Sequence, residues 1–166
     1  MLKKEYLQVF DKEKTILNEK VDRDNKYKLP NGKYFMIALI FIENSEGKFL
    51  MQRTSKERHS CIATTGGHVD FGDTGFKTII REVKEKLGIE LLPEDIEYVD
   101  TAIFKNCHLE TYYTKKPIDI NSVVIQKGEV EYVDWYSEEE LLKFIENNEF
   151  REGNIKPLEF VLKYRK

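Results

Sequence analysis

Residues Gly66 to Glu90, GGHVDFGDTGFKTIIREVKEKLGIE, restrict the fold more than any other part of the chain. From Phe76 the apolar residues fall at Phe76, Ile79, Ile80, Val83 and Leu87, the three-and-four spacing of an amphipathic helix. Asp73 and Thr74 offer N-cap chemistry before it, and Gly88 stands where a helix end needs a residue that tolerates the left-handed conformation. The opposite face carries Arg81, Glu82, Glu85 and Lys86. These heads project from one side over whatever the Gly66-Gly67 pair, read here as a turn, brings near. Two carboxylates one turn apart beside free backbone groups suit a hard divalent cation and phosphate oxygens. By itself an acidic helix stripe is more commonly a solvated face, so the spacing of the whole stretch has to decide.

Around this stretch the pattern alternates between strand and helix. Glu5–Phe10 and Thr15–Val21 read as a leading hairpin within an extension over residues 1–33, and Pro30-Asn31-Gly32 is a turn. Tyr34 to Ile42 is a continuous apolar run, the signature of a strand covered on both faces. Lys48–Arg53, Ile96–Lys105, His108–Thr114, Ser122–Gln126 and Val130–Tyr136 add strand signal. Ser137 with Glu140 is a capping box opening a helix, and Asn154–Tyr164 reads as a closing helix with Pro157 in its first turn. With no internal repeat and no break in composition, the expectation over residues 1–166 is one domain of α/β class, a mixed sheet with helices on both faces.

Composition excludes several classes of function. A net charge of −3 on 166 residues offers no electrostatic case for long nucleic acid. The longest apolar run is far too short to span a bilayer, and two cysteines without a cationic-then-apolar leader imply no disulfide framework. The expectation is a soluble, cytoplasmic protein, with the leading hairpin as a candidate for pairing in a homodimer.

The spacing is similar to the signature of the Nudix hydrolases, G-x5-E-x7-R-E-U-x-E-E-x-G-U with U apolar. Over residues 67–89 it gives Gly67, Asp73, Arg81, Glu82, Val83, Glu85, Lys86, Gly88 and Ile89 at the named positions. Asp73 replaces a glutamate and keeps the charge, whereas Lys86 replaces a metal-binding glutamate and reverses it. The resemblance implies an α/β/α sandwich and Mg²⁺- or Mn²⁺-dependent hydrolysis of a small diphosphate, commonly a nucleoside diphosphate linked to another group. It implies Glu82 and Glu85 as metal ligands and catalytic carboxylates and the Gly67 carbonyl as a further ligand. Arg81 and Asp73 would form a structural pair, and an acidic residue before the late Trp135 would be a further ligand, best matched by Glu129 and next by Glu131. For unit charges about 4 Å apart, the repulsion between a Lys86 ammonium and a cation is roughly 4 kcal/mol at an effective dielectric near 20, less if the side chain swings away. Two readings follow: a hydrolase that uses fewer ions with Lys86 gripping phosphate, or a weak or inactive domain that binds a ligand or partner.

The segments QRTSKER, GGHVDFGD and EVEYVDWYSEEEL most resemble the isopentenyl-diphosphate-isomerase-like branch of that family. The isomerase reaction itself is not expected, because Gly66 stands where a cysteine is needed, Cys61 lies five residues too early, and only Glu110 remains of a Glu-x-Glu pair. His59, His68 and His108 fit no compact ligand motif, with His68 the one matching a metal ligand of the isomerases.

Overall fold

The computed structural model describes residues 3–165. A hairpin of β1 (Tyr6–Phe10) and β2 (Ile16–Asp22) opens the chain, and a 3-10 turn follows at Arg23–Lys28. Then come β3 (Phe35–Ile42), β4 (Phe49–Thr54), β5 (Ile62–Ala63), β6 (Thr65–His68) and α1 (Gly75–Leu87). The remaining elements are β7 (Glu97–Phe104), β8 (Cys107–Thr114), β9 (Val130–Tyr136), α2 (Glu138–Glu146) and α3 (Ile155–Tyr164). Strands pair in the orders β1-β2, β6-β3-β8-β7 and β5-β4-β9. The four-stranded sheet is mixed: β3 and β8 run parallel, and the other pairs are antiparallel.

β3 is apolar throughout because both of its faces are covered. Ala38, Ile40 and Ile42 pack with Ile79, Val83 and Leu87 of α1. Phe35 and Leu39 turn the other way, towards Leu109 and Phe160, while Phe41 packs with Leu141 of α2 and Leu158 and Val161 of α3. Each such side chain, taken fully from water, contributes about 1.5–3 kcal/mol, so the sandwich is held from both sides of one strand. This is the expected mixed α/β architecture with its leading hairpin. Among the described residues no helix is long and apolar enough to cross a membrane.

Two local expectations are corrected. Gly66 and Gly67 do not form a turn; they lie in β6, opposite Leu39 and Ala38 of β3. A Cβ on Gly66 would meet the Ala38 carbonyl and the Leu39 side chain at 2.5 Å, so glycine is required by close approach. Nor is Ser122–Gln126 a strand. Its amides serve a helix end: Val124 donates to the Leu87 carbonyl at 2.9 Å and Gln126 to the Lys86 carbonyl at 3.0 Å. Those carbonyls have no intrahelical partner, and satisfying them outweighs the β propensity of Val123 and Val124. The strap so formed carries the chain round to Glu129, whose carbonyl accepts from the Ser55 amide.

Candidate active site

α1 begins where Thr74 accepts the Lys77 amide at 3.2 Å, and it ends at Gly88, with φ at 67° and its N–H on the Lys84 carbonyl. Thr74, not Asp73, is therefore the N-cap; Asp73 instead accepts the Thr74 amide at 2.8 Å. With Ile79 and Val83 turned into the core, Glu82 is brought against β6. A Cβ on Gly67 would lie 2.2 Å from the Glu82 carboxyl carbon. Glycine at this position is thus what allows Glu82 to lie against the backbone of β6.

Arg81 lies among four carboxylates. Its guanidinium donates to Glu82 at 3.2 Å and to Glu85 at 3.5 Å, meets Asp70 at 3.5 Å, and reaches Asp73 only at 4.0 Å. The expected Arg81–Asp73 pair is the loosest of the four, and Asp70, overlooked in the sequence although it sits in the same HVDFGD segment, is nearer. Glu85 is about half exposed, whereas Glu82 is nearly covered. Burial raises the Glu82 proton affinity above the usual carboxylate range, and Lys86 and Arg81 oppose that rise.

Lys86 is not swung out to solvent. Its ammonium donates to the Gly66 carbonyl and stands 3.6 Å from the Glu82 carboxylate, with the side chain 17% exposed. Burial lowers its pKa from the ordinary lysine value, and Glu82 and Glu129 oppose the fall. Glu129 itself is held by Arg58 at 2.6 Å.

These groups line a cavity of about 590 Å³, of the size that takes a small ligand. Phe35, Ile37, Leu39, Phe104 and Leu109 form its apolar lining, and Arg23, Lys26 and Tyr27 of the extension close one side. His68 lies there too, stacked on Phe35 with rings 5.7 Å apart and 10° between planes. Burial and the charges of Arg23, Lys26 and Lys86 push its pKa down to about 2, so the imidazole is neutral. The sequence did not single out the extension's cations or Arg151, since DRDNKYK carries three cations against two acids and reads only as a polar stretch.

Neither part of an isomerase centre reaches this cavity. Cys61 is not among the residues lining it, although its amide donates at 3.0 Å to the hydroxyl of Thr54, which is. Glu110 is taken up by Lys14 at 3.2 Å and by the Tyr112 hydroxyl. Cys107 does line the cavity, but burial pushes its thiol up to about 12, which leaves it protonated and unreactive.

The donor set fits one divalent ion. Mg²⁺ is commonly held by one or two carboxylates, with phosphate oxygens and waters completing its shell. Glu82 and Glu85, beside the glycine cradle that a Cβ would fill, provide that minimum. Among the described residues no group of three or more His, Cys, Asp or Glu is assembled for a tighter site, consistent with Lys86 standing beside Glu82.

The profile of the NUDIX domain matches residues 33–158, and the chain belongs to that family, the Nudix hydrolases of phosphoric anhydrides. Solved structures share the fold. A Deinococcus radiodurans protein, DR0079, superposes with a TM-score of 0.72 at 18% identity, over 93% of this chain and 96% of that one. MutT of Aliivibrio salmonicida and Vibrio cholerae gives 0.63 at 16% identity, over 79% and 98%. A C. elegans Ap4A hydrolase gives 0.51 at 21% identity, over 66% and 86%.

Proposed function

We propose that the chain hydrolyses a small diphosphate in which a nucleoside diphosphate is linked to a second group, water attacking phosphorus in the cavity beside α1. The observation that carries this is Glu82, a largely covered carboxylate pressed against Gly67 and facing a cavity rimmed by cations. Glu82, Glu85 and the Gly67 carbonyl would hold Mg²⁺ or Mn²⁺. When bound, the ion supplies charge neutralisation at the phosphate oxygens and acidifies the attacking water. One of the two carboxylates, Glu82 or Glu85, would orient that water or accept its proton. Arg81 keeps Glu85 and Glu82 in one orientation through its two hydrogen bonds. Lys86 supplies a resident positive charge where the family signature has a metal-binding glutamate and can offer it to a phosphate oxygen. Glu129, tied to Arg58, orients that guanidinium at the rim and joins the ligand set only if the pair opens.

The second reading, a domain that binds without turnover, is favoured by one fact: the Lys86 ammonium already rests on Glu82 and the Gly66 carbonyl. A phosphate-release screen separates the two. Wild type and Glu82→Gln are compared with Mg²⁺ and Mn²⁺ on nucleoside di- and triphosphates, sugar nucleotides and dinucleoside polyphosphates. Turnover that disappears in the variant is the expected result. No turnover above the variant on any substrate would transfer the assignment to the binding reading.

A further inference from the structure

The cavity has a second charged wall, opposite in character to α1. Six cationic side chains line the cavity as a whole, Arg81 and Lys86 from α1 and four from elsewhere, and four of the six have a carboxylate partner among the described residues. Arg23 pairs with Glu5 at 2.7 Å, Arg58 with Glu129 at 2.6 Å, Arg81 with the acids of α1, and Lys86 with Glu82. Lys26 and Arg151 have none among the described residues, and the Arg151 guanidinium donates to the Arg58 carbonyl at 3.0 Å.

Lys26 is the more unusual of the two because it is half-buried. Its ammonium donates to His68 Nε2 at 2.8 Å and stands 5.2 Å from the Tyr27 ring centre and 5.4 Å from that of Phe35. An imidazole brings no negative charge, so this hydrogen bond leaves the ammonium without a counter-charge. An ammonium has three donors, and one is used. Desolvation, Arg23 and Arg58 lower its pKa, and the Asp24 carboxylate opposes that fall without reversing it. The position is built rather than incidental. Asp22 caps the 3-10 turn by accepting the Asp24 amide at 3.0 Å, and Asn106 donates to the Lys26 carbonyl at 2.7 Å. His68 is the next residue along β6 from Gly67, against which Glu82 packs.

We infer that Lys26 is a specificity-determining residue that receives a phosphate group of the substrate, making the turn Arg23–Lys28 part of the active site. An anion entering between the acidic face of α1 and this wall is repelled by Glu82 and Glu85 and attracted by Lys26. Lys26 therefore sets which end of the cavity the phosphates occupy. The Tyr27 and His68 rings, both packed on the buried Phe35, lie beside this position and favour a flat or apolar group joined to the phosphate. The inference rests on the hydrolase reading only for what happens to the ligand afterwards, so its test begins with binding.

Inorganic pyrophosphate is titrated calorimetrically into wild type, Lys26→Met, Lys26→Arg and Glu82→Gln, with melting temperatures recorded for each. The expected result is affinity weakened roughly tenfold or more in Lys26→Met, the scale of one charged hydrogen bond, and largely restored in Lys26→Arg. Glu82→Gln retains or improves binding. On whichever anhydride the enzyme turns over, Lys26→Met raises KM and leaves kcat nearly unchanged. Wild-type affinity in a folded Lys26→Met, or no pyrophosphate binding to wild type, would overturn the inference. Loss of turnover alone would count against the hydrolase reading and leave this one standing.

Discussion

Two glutamates of this molecule, Glu43 buried and Glu82 largely covered, each sit beside a cation in opposite surroundings. Glu43 is closed on all sides: the Tyr113 hydroxyl and the Arg165 guanidinium each take one carboxylate oxygen, and Arg165 also reaches Glu138 at 3.1 Å and the Gly47 carbonyl at 3.2 Å. Glu82 is left unfinished. Its strongest hydrogen bond is 3.2 Å long, its ammonium neighbour stands at 3.6 Å, and a cavity opens in front of it. A buried charge costs free energy unless every lone pair is met. The closed pair fastens the C-terminal end of α3 to the sheet, and the open pair, on the proposed function, holds a charge in readiness for a ligand.

That contrast is exposed to test. The largest expected effect is on rate: Glu82→Gln lowers anhydride hydrolysis by roughly 10²–10⁴-fold, the usual range for losing a proton-transfer group. Phosphate release against time measures it, and an undiminished rate would remove Glu82 from the chemistry. Glu43→Ala should invert the pattern. Leaving Arg165 without its main partner costs about 3 kcal/mol of stability, read as a lowered midpoint in urea, while kcat holds steady. A loss of activity at temperatures where the variant stays folded would contradict the division.

Gly67→Ala comes next, because its Cβ would displace Glu82. A shift of this kind costs roughly ten- to hundredfold in kcat with little change in melting temperature. If the variant matches wild type in kcat, the close approach is not functional. The smallest effect expected is that of Glu82→Gln with Lys86→Met. Replacing both members of an incompletely satisfied ion pair by neutral groups should leave thermal stability equal or raised. A clear fall in melting temperature would show that this pair, like Glu43–Arg165, is structural.

How far the sequence revealed all this depends on the range of the interactions involved. The spacing of Phe76, Ile79, Val83 and Leu87 and the position of Gly88 are local properties of one helix, and both its existence and its end could be read from them. The apolar run into Ile42 announced a strand covered on both faces for the same reason. Gly66-Gly67 misled, since glycine pairs signal turns locally, whereas here they admit Leu39 and Glu82 across a strand contact. Ser122–Gln126 misled because its partners are the carbonyls of a helix end far back in the chain. At the site, helical spacing set Glu82, Glu85, Arg81 and Lys86 on one face, while the roles proposed for them come from the resemblance over residues 67–89. Lys26, His68 and Arg151 were illegible as a group, because only the folded topology brings the extension, β6 and the segment before α3 to one cavity.

The central claim is that Glu82 and Lys86 form an open site in which a resident ammonium takes the place of part of the metal shell. Titration of Mn²⁺, followed by loss of the free-ion electron paramagnetic resonance signal, addresses it directly in wild type, Glu82→Gln and Lys86→Glu. The account predicts a weak site in wild type, lost in Glu82→Gln and tightened by at least about tenfold in Lys86→Glu, since a repelling charge becomes a ligand. Identical Mn²⁺ affinities in all three proteins would place the ion elsewhere and contradict the claim.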